Sequence, residues 1–343
     1  MPVNSVESLK RLFKSSLDRG SVTLAQTEKL LAAVKKDGVS GSERRQLREQ
    51  FLANEDRFDP AGAARMRDFI AREIPTLLVD DNVGSAANGR RNLPDPALPA
   101  ANAVSIRYQW TAGTLIKDGV SKDDVIQGML GNCNVMAAIA AVAAQQPKRI
   151  EEMIKDHGDG TYTVHFHDLT AATPTRVPIT VDGQLPTRNG GLEFGKNRDR
   201  TELWVGIMEK AYAQWKGGYD VVGKGGSLQD ALSALTGRVG GVIPVAPGDE
   251  KDTFEVAEYA LKAGLAVAAA TKGEDQEALY KGTAVYAGHG YSVLGVSKTG
   301  AETFITLRNP WGEVEPAGNG ADDGVFKLSM TRFLELFHEL YIS

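Results

Sequence analysis

The run from Gln127 to Pro147, QGMLGNCNVMAAIAAVAAQQP, constrains this chain more than any other stretch. After Cys133 it is built from Ala, Val, Ile and Met, and Val135, Ile139 and Val142 recur at helical spacing. The pattern predicts a buried helix that Pro147 stops. Cys133, the only cysteine, falls at its first turn, just after Gly131 and Asn132. Unpaired N–H groups and the helix dipole stabilise a thiolate there, and the thiolate is the nucleophilic form. A lone cysteine is by default a small buried hydrophobe. Here Gln127, six residues upstream, offers a side-chain amide next to the thiol, as an oxyanion site for acyl transfer requires.

A cysteine acyl-transfer site also needs a histidine base and a group that orients it. Gly288-His289-Gly290-Tyr291 opens an alternating run, His289 to Val296, that reads as a strand. Small residues flank the imidazole and let a substrate backbone approach. Arg308-Asn309-Pro310-Trp311-Gly312 ends a second strand, Thr303 to Leu307. Asn309 lies twenty residues after His289, a spacing that neighbouring antiparallel strands bring together. The amide can orient the imidazole, and Trp311 can cover the pair.

QGMLGNCNVMAAIA, GHGYSVLGV and LRNPWG resemble the three active-site blocks of the calpain family of cysteine proteases, in the family's order. Further similar stretches are VDGQLP (181–186), residues 202–237 and residues 323–337, so the resemblance covers about residues 110–343. It implies an α+β, two-lobed papain-like core, a helix-rich lobe and an antiparallel sheet-rich lobe, preceded by a small all-helical domain. It implies a cysteine endopeptidase with Cys133 as nucleophile, His289 as base, Asn309 orienting it and Gln127 in the oxyanion site. Gly226, Gly288 and Trp311 are implied to meet the substrate. No cofactor is required. Calcium is a candidate ligand, with Gly119, Asp124 and Glu202 standing where the family has ligands in the first lobe, and Glu315 and Asp323 a partial match in the second. Asn132, Asn134 and Gly290 depart from the family's Asp, Trp and Ala. A catalytically silent binding module and a cysteine acyltransferase are the rival readings.

The 343 residues allow three regions: a helical domain over 1–80, a linker over 81–104 and the protease-like domain over 105–343. In the first, Leu24, Leu30, Leu31 and Val34 share a helix face, and Ala63 to Ile74 makes another helix. Asp37 to Glu43 resembles the back half of an EF-hand loop, but with Ala33 and Lys35 where acidic ligands belong, so a glycine turn between helices is preferred. This region is expected to be regulatory. Residues 81–104, rich in Gly, Asn, Pro and Ala, expose Arg90-Arg91.

Beyond Cys133, Tyr162 to His167 alternates as a strand with Val177 to Val181 as its partner. His165 and His167 share its outer face without other ligands at metal spacing. Helices are predicted over Leu203–Trp215, Leu228–Leu235 (Ser227 as N-cap, Gly237 as stop) and Phe254–Lys262, then strands and one short helix. A net charge of −5 gives no support for a nucleic-acid partner. No apolar run spans a bilayer. The partners expected are protein or peptide substrates. One cysteine and no signal-peptide core fit a cytoplasmic setting, although leaderless secretion would leave no mark.

Overall fold

The structure is a computed structural model. It describes residues 13–17, 20–35, 47, 50–51, 53–69, 90–99, 105–169, 174–198, 201–316 and 322–343. The EF-hand-like run 37–43 and the linker outside 90–99 lie beyond the described residues. Helices α1 (Leu24–Lys35) and α2 (Pro60–Asp68) share a small core that includes Val22, Leu30, Leu31, Phe51, Phe58 and Met66. Asp59 caps α2 by accepting the Gly62 N–H at 2.6 Å, and Pro60 suits the first helical position, so this helix begins before the predicted Ala63.

Residues 90–99 are tied to the chain beyond residue 105. The Leu93 N–H donates to Asp182 Oδ2 and the Tyr219 N–H to the Ala97 carbonyl, both at 2.7 Å. The fully buried Lys210 ammonium pairs with Asp95 at 2.5 Å and Asp182 at 2.6 Å. A buried charge needs such partners, so this part of the expected linker is anchored to the fold. Arg90 and Arg91 are exposed.

The helix-rich half comprises β1 (Arg107–Trp110), α3 (Cys133–Gln145), α4 (Pro147–Met153), β2 (Ile154–Asp156), β3 (Thr161–Asp168), β4 (Thr175–Asp182), β5 (Gln184–Arg188), β6 (Gly191–Leu192), α5 (Trp204–Lys216), α6 (Tyr219–Val222) and α7 (Leu228–Thr236). Strands β2-β3-β4 and β1-β5-β6 form two small antiparallel sheets. Helix α3 is buried from Asn134 to Ala143, as its composition demands. Pro147 does more than end it: after Gln146 it opens α4. Ser227 caps α7 and Gly237, at φ +70°, stops it, as predicted.

The sheet-rich half holds β7 (Gly241–Pro244), α8 (Glu250–Lys262), β8 (Val267–Thr271), β9 (Gly290–Thr299), β10 (Glu302–Arg308), β11 (Val325–Ser329), α9 (Met330–Leu336) and β12 (Phe337–Ile342). Its six strands are antiparallel in the order β11-β10-β9-β8-β12-β7. Tyr291, Val293, Ile305, Leu307 and Phe337 anchor its own core. The start of β9 lies against the start of α3: Ser292 Oγ donates to the Ala137 carbonyl at 2.8 Å. A Cβ on Gly290 would lie 3.6 Å from the Cys133 carbonyl. That contact decides where the two halves meet. No described helix is long and apolar enough to cross a membrane.

Candidate active site

Cys133 is the first residue of α3. The approach to it is set by glycines that have no room for a side chain. A Cβ on Gly128 would come within 2.2 Å of the Glu193 carbonyl oxygen, and one on Gly131 within 2.6 Å of that of Gly223. The Gln127 N–H donates to the Pro310 carbonyl at 2.8 Å, tying this loop to the Asn309–Gly312 turn. One hydrogen of the Gln127 side-chain amide goes to the Leu130 carbonyl at 2.6 Å, which leaves its second for another acceptor.

His289 immediately precedes β9 and Asn309 immediately follows β10, two strands in antiparallel register with Ser292 opposite Arg308. The register brings the side chains together: His289 Nε2 donates to Asn309 Oδ1 at 3.1 Å, and both residues are buried. The Asn309 amide in turn donates to the Val314 carbonyl at 3.2 Å. Trp311 and Tyr291 each place a ring 4.9 Å from the imidazole, and Tyr286 packs 4.5 Å from Trp311.

Cys133, His289, Gln127, Gly288 and Trp311 line one cleft of about 950 Å³. Gly225 lines it too. The sequence-predicted Gly226 lies one step aside, in a smaller cavity of about 220 Å³ where it faces the Asn134 amide. Among the described residues no hydrogen bond joins the Cys133 thiol to His289; the sulfur lies by the Gly290 N–H. Burial pushes the thiol up from its ordinary value, against the pull of nearby backbone N–H groups. Burial pushes His289 down to about 4, against the upward pull of Asn309. Both groups therefore stand neutral at pH 7 in this geometry, and the ring must come closer to the sulfur before it can take the proton.

The candidate calcium residues fall into two sets. Glu202 is buried, and its oxygens accept the Lys117 N–H and, at 2.8 Å, the Asn197 amide. Asp124 accepts the Ser121 N–H at 2.8 Å, and burial, followed by the Glu202 charge, raises its carboxyl. Gly119 turns the nearby loop at φ +89°. In the other set, Asp323 accepts the Val325 N–H at 2.9 Å, and Glu315 Oε2 is buried with no hydrogen bond. His165 and His167 bond separate carbonyls, of Met153 and Ala234. No three metal-ligating side chains converge among the described residues.

Three features of the site escape a sequence reading. Arg308, fully buried, donates to the Val125 carbonyl at 2.7 Å and so pins Asn309's strand to the Gln127 loop. Arg198 reaches the Gly312 carbonyl at 2.6 Å from the other side. Asn132 bonds the buried carboxylate of Glu209 at 2.8 Å. Only Arg308, an arginine inside an apolar strand beside Asn-Pro-Trp, carried a local signal.

A thiol at a helix start and an imidazole tied to an amide thus face one cleft. The family model described as calpain family cysteine protease matches residues 106–326, and the chain belongs to that family. Calpain-9 of Mus musculus is 32% identical over 214 residues, which cover 60% of this chain and 31% of the relative. The calpain-2 catalytic subunit of Gallus gallus is 30% identical over 255 residues, 70% of this chain and 35% of the relative. A calpain-type cysteine protease of Zea mays is 31% identical over 260 residues, 66% of this chain and 12% of the relative. The chain thus spans about a third or less of the length of these relatives.

Proposed function

We propose that the chain is a cysteine endopeptidase of two-lobed, papain-like build, working from the cleft between its helix-rich and sheet-rich halves. The observation that carries the reading is the His289–Asn309 bond of 3.1 Å on the wall of the cleft that Cys133 enters from α3. With Nε2 engaged by Asn309, Nδ1 is the nitrogen that takes the thiol proton. Cys133 then attacks a peptide carbonyl, and the second hydrogen of the Gln127 amide joins the Cys133 N–H in holding the oxyanion. His289 returns the proton to the leaving amine, and water hydrolyses the thioester. Gly225 and Gly288 offer backbone to an extended substrate at opposite sides of the cleft, with Trp311 keeping water from the imidazole. The readings as a silent module or an acyltransferase gain nothing from this site, whose reacting groups are all present.

Calcium belongs to the proposal as a ligand. What supports it is opposed carboxylate charge in two places, Asp124 with Glu202 and Glu315 with Asp323 and Asp322. Backbone carbonyls, Gly119's among them, and water would complete each shell. Bound calcium would supply charge neutralisation and hold the halves in register. Calorimetric titration of metal-free Cys133→Ala with calcium chloride should give heat of binding; no heat, with full wild-type activity in EGTA, dismisses it. The helices before residue 80 are proposed to regulate the peptidase.

The decisive test is incubation of wild type and Cys133→Ala with casein. Wild type should fragment it and the variant should not; equal fragmentation overturns the reading.

A further inference from the structure

Glu209 sits in the middle of α5, 1% exposed. Among the described residues it forms no ion pair. Its Oε1 accepts the Asn132 side-chain amide and its Oε2 the Gly195 N–H, each at 2.8 Å. A carboxylate in such a place costs stability relative to an apolar side chain of the same size, so the contacts it makes need an explanation beyond the fold. They lead to the nucleophile. Asn132 is the residue before Cys133 and the N-cap position of α3, fully buried, yet its side chain makes no cap hydrogen bond to its own helix. Its carbonyl accepts the Val135 and Met136 N–H groups at 2.9 and 3.1 Å, so the placement of Asn132 sets the turn that carries the thiol. Gly195, at the other end of the clamp, belongs to the segment whose Glu193 carbonyl accepts the Met129 N–H at 2.9 Å, behind the Gln127 loop. The fit is tight: a Cβ on Gly195 would lie 2.9 Å from the Glu209 carboxyl carbon.

We propose that Glu209 is a positioning residue for the nucleophile, clamping Asn132 and the Gly195 segment together so that the first turn of α3 presents Cys133 to the cleft. The proposal rests on the reading of Cys133 as nucleophile. The full clamp is made by the ionised carboxylate, both of whose oxygens accept. Burial pushes Glu209 up to about 7, so the clamp loses its second acceptor as pH falls below neutrality. The other groups facing it are Lys196, whose charge pulls it down, and Tyr219 from α6, whose buried hydroxyl has no hydrogen bond and whose own pKa lies far above this range.

Cys133 is the sole cysteine, so its alkylation by iodoacetamide reads the turn directly in the full chain. Glu209→Leu leaves the Asn132 amide and the Gly195 N–H buried without partners. Its alkylation rate and kcat should each fall about tenfold with KM little changed, the size expected of orphaned buried donors. Glu209→Gln should restore both only to the level wild type keeps below pH 7, since, like the protonated acid, it offers one acceptor to Gly195 and one donor that reaches Asn132 Oδ1 once that side chain rotates. It should also lack the break near pH 7 expected in the wild-type alkylation profile, because Gln does not titrate. Asn132→Ala combined with Glu209→Leu should be no worse than the poorer single variant, because both remove the same Asn132–Glu209 bond. Wild-type alkylation in Glu209→Leu overturns the clamp. If Glu209→Leu does not fold, the pH profile of Glu209→Gln decides: an unchanged break near pH 7 overturns it. A wild type that alkylates with this pattern but cleaves nothing would sink the peptidase reading and leave the clamp standing.

Discussion

Cys133 and His289 face the same cleft but are held there by different physics. The Cys133 side, proposed to carry the nucleophile, is polar and backbone-tight, with Gln127 on the Leu130 carbonyl and glycines packed against carbonyl oxygens. The base side is apolar and carried by a sheet, with His289 among Tyr291, Trp311 and Tyr286. Hydrogen bonds are directional, whereas contacts between tilted and edge-on rings depend on bulk. The nucleophile side should therefore answer to single added atoms and the base side to loss of bulk, while each holds one buried group that titrates, Glu209 and His289.

The largest effects come from removing the reacting groups themselves. Cys133→Ala and His289→Ala should each lower casein cleavage by about 10⁴-fold or more, with unchanged far-ultraviolet circular dichroism. Cleavage that survives in either variant breaks the assignment of that side. Asn309→Ala should lose only about 10²-fold, because it orients the base and does not react. If it is as dead as His289→Ala, the imidazole depends on its amide and not on its aromatic neighbours, and the contrast between the sides fails.

A matched pair of substitutions sharpens the comparison. On the nucleophile side, Gly128→Ala forces a methyl against the Glu193 and Phe194 carbonyls, which should cost about 1–3 kcal/mol of stability and slow thiol alkylation. On the base side, Trp311→Ala removes the indole that packs tilted against His289 and Tyr286; the lost pairs should reduce kcat about tenfold while alkylation of Cys133 holds. Equal alkylation losses in the two variants would mean that the sides are one mechanical unit.

Legibility in the sequence followed the same divide. The base side was readable because its information is local: strand alternation, a twenty-residue spacing and a turn motif placed His289, Asn309 and Trp311, and the register of β9 with β10 brought them together. The helix of Cys133 was readable from its composition. What holds that helix start was not, because Asn132 and Glu209 lie far apart in sequence and nothing local to Glu209 links them. Lys210, its neighbour, is likewise seen only in the fold to be buried on Asp95 and Asp182. The short strands β1, β5, β6 and β7 also escaped, being two to five residues long with no stretch in which alternation can show. Pro244, in β7, sits on an edge strand, where a missing N–H is tolerated.

The smallest effect is a cancellation, and it tests the two sides against each other. His289 is neutral in the folded chain down to about pH 4, while an unfolded histidine takes a proton near 6.5. Its contribution to stability is present above pH 6.5 and is lost as pH falls from there to 4. Glu209 runs the other way: the folded chain keeps its proton up to about pH 7, while an unfolded glutamate releases it near 4.5. Its contribution is present below 4.5 and is lost as pH rises to 7. Each shift corresponds to about 3 kcal/mol, and between pH 4.5 and 6.5 the two slopes oppose. In wild type their sum over that window should be near zero. Replacing one group exposes the other: relative to wild type, Glu209→Gln should lose stability as pH falls from 6.5 to 4.5, and His289→Ala should gain it. Urea midpoints at fixed ionic strength, taken as differences from wild type, remove the shared background of surface carboxylates. Difference profiles of the same sign would show that the polar side and the aromatic side do not titrate against each other.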